Sequence, residues 1–132
     1  MTGAALCVLP LGCAGPAAEP SGPIAAGNVS ATTVGSLTVV NGNAVLGRDA
    51  SGLYAMSNVC THEGCTMDVS GSGSTEHLVC NCHGSTFDAN GAVTHGPART
   101  ALTHYKVDLA ADGSITIQGA QPVTSTARTP GG

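Results

Sequence analysis

Apolar residues along this chain come in short runs separated by glycine-rich breaks, the pattern of a protein built from short strands. Leu37-Thr38-Val39-Val40 and Ala44-Val45-Leu46 are β-prone and are joined through Asn41-Gly42-Asn43, a good hairpin turn. Asp49-Ala50-Ser51-Gly52 is a second turn, from which Leu53-Tyr54-Ala55-Met56 leads towards Cys60, and His77-Leu78-Val79 leads in the same way into Cys80. Leu102 to Leu109 alternates apolar and polar residues around Tyr105 and Val107, and Ala111-Asp112-Gly113 turns it back into Ile115-Thr116-Ile117. No window has helical periodicity. The expected fold class is therefore all-β, a compact antiparallel sandwich or barrel. Both cysteine-bearing segments leave strand ends, so they are loops on a rigid scaffold, a common place for chemistry.

The two ends read differently. Residues 1–18 carry no charged side chain, and Ala4 to Ala14 form an apolar run of eleven. That is too short to span a bilayer but suits the apolar region of a signal peptide. Leu11-Gly12-Cys13 resembles the end of a bacterial lipoprotein signal, although Pro10 stands where an aliphatic residue is preferred and a positive leading region is missing. Cys13 is thus a lipidation candidate, with a simple signal or anchor remnant as the other reading. The expectation is export to the periplasm of a bacterium, with a membrane tether through the N-terminus. From Ala14 to Gly27 the chain is rich in Ala, Pro, Gly and Ser, which predicts a flexible tether. Residues 1–23 are assigned to signal and tether, 24–120 to the folded domain and 121–132 to a flexible tail.

Composition adds two constraints. Four Lys and Arg residues against eight Asp and Glu exclude a basic footprint for nucleic acid. Gly and Ala together fill 38 of 132 positions, whereas Phe, Tyr and Trp number three. A core of such small side chains is thin, and domains of this kind often need a staple or a metal. His77, His95 and His104 read as solvated surface histidines, and Asn28-Val29-Ser30 fits a glycosylation pattern of low expected use.

The chemistry lies in two loops, Cys60-Thr61-His62-Glu63-Gly64-Cys65 and Cys80-Asn81-Cys82-His83-Gly84-Ser85, with 17 residues between His62 and Cys80. Each offers a thiolate and an imidazole, spaced C-x-H in the first and C-x-x-H in the second, and that spacing marks a metal site. Two Cys and two His make an acceptable tetrahedral zinc site. Yet C-x-H is tight for zinc, and Cys65 and Cys82 are left over, free in an exported protein to pair with each other. Two disulfides without metal leave both histidines without a purpose. An iron–sulfur cluster is the third reading and the one adopted.

The two loops resemble those of Rieske [2Fe–2S] proteins. In the fuller form, C-T-H-x-G-C with C-x-C-H-G-S, they resemble the cytochrome bc1-type branch, which also includes the small subunit of arsenite oxidase. The likeness covers about residues 35–118 and implies a Rieske-type fold with a two-loop cluster-binding subdomain. It implies Cys60 and Cys80 as ligands of one iron, His62 and His83 as ligands of the other, and a Cys65–Cys82 disulfide tying the loops. Gly96-Pro97-Ala98 matches the loop that shields the cluster, with Pro97 at its centre. Ser85 matches a hydroxyl that donates to a bridging sulfide. Phe87 stands where that branch has a tyrosine whose hydroxyl bonds a ligand sulfur, so one potential-raising donor is gone.

Electrostatics supports such a ligand set for electron uptake. Two ferric ions, two sulfides and two thiolates sum to zero charge, so an added electron meets less repulsion than in an all-cysteine cluster. This places such centres at roughly −150 to +300 mV. Reduction makes the cluster more negative and raises the imidazole pKa values, coupling electron uptake to proton uptake. The expected function is that of an exported one-electron carrier, not itself an enzyme, between a quinol or enzyme partner and a c-type cytochrome. The alternatives are the small electron-transfer subunit of an oxidoreductase such as arsenite oxidase, and a Rieske ferredoxin.

Overall fold

The computed structural model describes residues 17–131, so Cys7, Cys13 and the signal-like run lie outside the described residues. Ten strands follow in order: β1 (Pro23–Asn28), β2 (Leu37–Val40), β3 (Ala44–Asp49), β4 (Gly52–Ser57), β5 (Met67–Ser70), β6 (His77–Cys80), β7 (Thr86–Phe87), β8 (Val93–His95), β9 (His104–Leu109) and β10 (Ser114–Val123). They form two antiparallel sheets, one ordered β1-β10-β9-β4-β3-β2 and the other β5-β6-β7-β8. The described residues contain no α-helix, only short 3-10 turns at Val29–Ala31 and Gly73–Thr75. None of their helices is long and apolar enough to cross a membrane.

The all-β expectation is met, and the predicted hairpin closes in the register Val40↔Ala44. Its turn needs Gly42, which has φ 104° and lies against β1: a Cβ there would come within 2.9 Å of Ile24 Cδ1. The β2–β3 turn and β1 thus meet across the open side of the six-stranded sheet, which curls towards a barrel.

β3 and β4 explain why the chain needs few large residues. Successive strand residues face opposite ways, and both faces of these two strands are covered. Ala44, Leu46, Leu53 and Ala55 point into a core shared with Tyr105, Val107, Ile115 and Ile117. Val45, Tyr54 and Met56 point the other way, into a second core with Leu37, Cys60, Met67, Leu78, Cys80, Phe87, Ala98 and Leu102. All six residues of β4 are buried, so a single strand serves two cores.

Among the described residues, neither flanking segment behaves as its composition predicts. β1 starts at Pro23 and pairs with β10 (Ile24↔Ile117), and residues 17–19 before it are pinned to the body. Ala17 N–H donates to Gly64 O (2.9 Å), Asn43 Nδ2 to Ala18 O (2.7 Å) and Tyr105 Oη to Glu19 Oε1 (3.0 Å). The expected flexible tail from 121 to 132 is corrected more fully. β10 continues past an irregularity after Gln118 to pair Pro122 with Tyr105 and Val123 with His104. The chain then folds back, and Thr129 exchanges backbone hydrogen bonds with Leu53 at 2.7 and 2.8 Å. Arg128 Nε donates to Asp49 Oδ2 (2.8 Å), Nη2 donates to Asn90 Oδ1 (2.8 Å), and the guanidinium lies 4.0 Å from the Tyr54 ring centroid. Small and polar side chains signal a tether, but the ordering comes from the backbone groups of β4 and β10 and from one arginine.

Candidate metal centre

The two loops are the same turn built twice. In the first, Cys60 N–H donates to Cys65 O (2.7 Å) and Gly64 N–H to Cys60 O (2.9 Å); in the second, Cys80 N–H donates to Ser85 O (2.8 Å) and Gly84 N–H to Cys80 O (2.9 Å). Closing so tight a turn requires a positive φ at its fifth residue, 78° at Gly64 and 80° at Gly84, where glycine alone is unstrained. β4 delivers the first loop and β6 the second. Cys65 and Cys82 form a disulfide across a sequence separation of 17, so the pairing that the resemblance implied is present.

The donors fall into two layers. Cys60 and Cys80 are buried, each 2% exposed, and neither is in a disulfide. The Sγ atoms of Cys65, Cys80 and Cys82 lie within 4.8 Å of one another. Burial pushes the Cys60 thiol up, and the Cys80 thiol beside it adds to that, while backbone N–H groups of His62 and Glu63 aimed at its sulfur oppose both. Above the thiols stand the imidazoles of His62 and His83, edge to face with ring centroids 4.9 Å apart and side chains 28% and 44% exposed. Paired buried sulfurs beneath paired exposed imidazoles offer a soft site at depth and a nitrogen site at the surface.

The surrounding residues fit a charged sulfur centre. Ser85 is fully buried, and its Oγ accepts from Ala98 N–H (2.9 Å), which leaves the hydroxyl proton to donate. The same bond holds the Gly96-Pro97-Ala98 segment against the second loop, and Thr61 Oγ1 donating to Thr100 O (2.6 Å) holds it against the first. Pro97 itself is exposed while Ala98 is 4% exposed, so the alanine packs and the proline covers. Phe87 is 0% exposed in the core beneath the loops and brings no hydroxyl to them.

Two residues were misjudged or missed in the sequence. His104, expected at the surface, is 3% exposed, with Nε2 facing Asn90 Oδ1 (3.2 Å) and its ring stacked on Tyr54 at 6.1 Å. Burial holds its pKa below the usual histidine value. Glu63 attracted no role, yet its carboxylate stands 3.5 Å from His83 Nδ1 and 4.0 Å from His62 Nε2. The signal was available, because Glu63 is the one charged residue in either loop besides the histidines. Asn28 of the glycosylation pattern is tied down, donating to Asp112 O (3.0 Å) and accepting from Ser30 N–H (3.0 Å).

Comparison with known proteins is consistent with this geometry. The family model described as Rieske [2Fe-2S] domain matches residues 24–106. The cytochrome b6-f complex iron-sulfur subunit of Prochlorococcus marinus is 40% identical over 72 residues, covering 53% of this chain and 36% of that one. The subunit of the same name from a Synechococcus strain is 40% identical over 68 residues, covering 52% and 37%. The chain thus spans little more than a third of the length of these relatives. Among solved structures, the ferredoxin of carbazole 1,9a-dioxygenase from Nocardioides aromaticivorans aligns over 74% of this chain and 98% of its own with TM-score 0.53. At 24% identity it shares the fold.

Proposed function

Because this chain belongs to the Rieske [2Fe-2S] domain family, we propose that it is a one-electron carrier in which Cys60 and Cys80 hold one iron and His62 and His83 the other. The observation that carries the assignment is the two-layered donor set: buried thiols outside any disulfide lie below two exposed imidazoles, on twin turns joined by Cys65–Cys82. When bound, the cluster supplies a one-electron couple whose oxidised form is formally neutral.

The protein's part is to bind, shield and tune. Cys60 and Cys80 release their protons to become ligands, helped at Cys60 by the two backbone N–H groups aimed at its sulfur. Ser85 offers its hydroxyl proton to the sulfur centre, which stabilises added negative charge and raises the potential. Phe87 offers none, so the potential lies below that of relatives with a tyrosine there. The Pro97 loop keeps water from one side. His62 and His83 reach the solvent, where their outer ring nitrogens exchange protons and their edges meet the redox partner.

The finer reading is of an exported domain, 24–120 with flanking segments packed on it, tethered at the membrane through the residues before it. Cys13 is the candidate for lipid attachment. The donor is a quinol or a partner enzyme and the acceptor a c-type cytochrome, in keeping with relatives named as subunits of a cytochrome complex. Purified protein should be coloured, and its dithionite-reduced form should give an EPR signal of a mixed-ligand [2Fe–2S] centre. His62→Ala and His83→Ala should abolish that signal. A colourless protein containing zinc would overturn the assignment.

A further inference from the structure

We infer that Glu63 makes the imidazole tip a docking site for a basic, lysine- or arginine-bearing face of a protein electron carrier. This inference rests on the electron-carrier reading and names its partner class. Glu63 is 56% exposed at the side chain and stands beside both imidazoles, 3.5 Å from His83 Nδ1 and 4.0 Å from His62 Nε2. A surface that touches the exposed edge of His83 therefore covers this carboxylate as well.

Among the described residues no lysine or arginine pairs with this carboxylate, whose neighbours are the two imidazoles. Of the four Lys and Arg residues, Arg48 donates to Thr32 O and Gly131 O, Lys106 pairs with Asp108 (3.2 Å), and Arg128 pairs with Asp49 (2.8 Å). Arg99, next to Ala98 on the shielding loop, forms no ion pair with Glu63. An apolar pocket closing over the tip would strip water from a half-exposed carboxylate that no lysine or arginine neutralises, which is strongly unfavourable. A basic partner instead supplies a charge-assisted hydrogen bond at the point of electron exit, and speeds the encounter electrostatically.

The local character of this effect is what the test must isolate, since the whole chain carries −4. Asp112 is the control: it lies in the β9–β10 turn, whereas Met56 and His104 mark the loop-bearing end of the same sheet. Reduced, cluster-loaded wild type, Glu63→Gln and Asp112→Asn are mixed with tris(phenanthroline)cobalt(III), a trication, or with ferricyanide, a trianion. In each reaction the protein loses one electron and the oxidant gains one, with no bond made or broken. A unit charge in water at about 7 Å contributes about RT. Glu63→Gln should therefore slow the cation and speed the anion, each by about threefold per unit of oxidant charge at low salt, fading towards 1 M.

Binding gives a second readout that does not depend on turnover. Wild type should bind a basic c-type cytochrome more tightly than the same cytochrome with acetylated lysines, and Glu63→Gln should lose about threefold in affinity where Asp112→Asn loses little. The midpoint potential should rise in Glu63→Gln and not in Asp112→Asn. If the two variants behave alike, or if wild type binds the acetylated cytochrome as tightly as the basic one, the inference falls while the carrier reading stands. If wild type holds no cluster, the carrier reading itself has failed.

Discussion

The two cores share β3 and β4 but are held together in different ways. On one side, Leu46, Leu53, Val107, Ile115 and Ile117 pack between strands of six to ten residues with long hydrogen-bonded registers. On the other, β5 to β8 have four, four, two and three residues, and two of the buried side chains are the unpaired cysteines. Apolar burial and backbone pairing suffice for the first. The second has shorter strands and adds to them the fully buried Phe87 and the Cys65–Cys82 disulfide. The proposed cluster site lies on the side with the shorter strands.

Truncating one fully buried side chain on each side should sharpen this contrast most. Phe87→Ala opens a cavity beneath the loops and should cost about 3–5 kcal/mol, with loss of visible cluster absorbance. Ile117→Ala should lower the denaturation midpoint through a loss of about 2–5 kcal/mol, while the folded fraction keeps its colour. Equal loss of colour in both would mean that the cores are not separable.

Replacing Cys65 and Cys82 together by serine removes a link that closes about 17 residues, worth about 3 kcal/mol in a chain-entropy account. Amide exchange should accelerate across β5 to β8 and stay slow in β9 and β10. A uniform acceleration would contradict the division.

Arg128→Ala probes the join between the cores. This side chain is 15% exposed, holds Asp49 on β3 and Asn90 in the turn before β8, and lies over Tyr54. Its loss should cost about 2 kcal/mol and speed exchange around Asp88–Gly91, as seen by hydrogen exchange with mass spectrometry.

The smallest effect is of pH. Burial depresses the His104 pKa below 6.5, so under mild acid the unfolded chain takes up a proton that the folded one refuses. Stability should thus fall as pH drops below about 6.5, by at most about 1.4 kcal/mol per pH unit. His104→Gln should flatten that slope. A slope unchanged in the variant would assign the acid sensitivity elsewhere.

The Phe87→Tyr variant tests tuning rather than stability, and its midpoint potential should rise. The added hydroxyl must still find room beneath the loops, where Phe87 is fully buried.

Much of this was legible along the chain. The β2–β3 hairpin, the runs of β4 and β9 and the turn at Ala111-Asp112-Gly113 carry local signals, and so do the Cys/His spacings of both loops. β5, β7 and β8 went unseen because Met67-Asp68-Val69-Ser70, Thr86-Phe87 and Val93-Thr94-His95 are too short or too polar for a periodicity to register. Local sequence determined β2, β3, β4, β6, β9 and the start of β10, their turns and the donor types, because backbone preferences and ligand chemistry belong to individual residues. Tertiary structure decided that residues 17–22 and 121–131 pack on the body, that His104 is buried and that Glu63 stands against two imidazoles. Those outcomes depend on partners distant in sequence: Leu53 for Thr129, Asn90 for Arg128 and the second loop for the first.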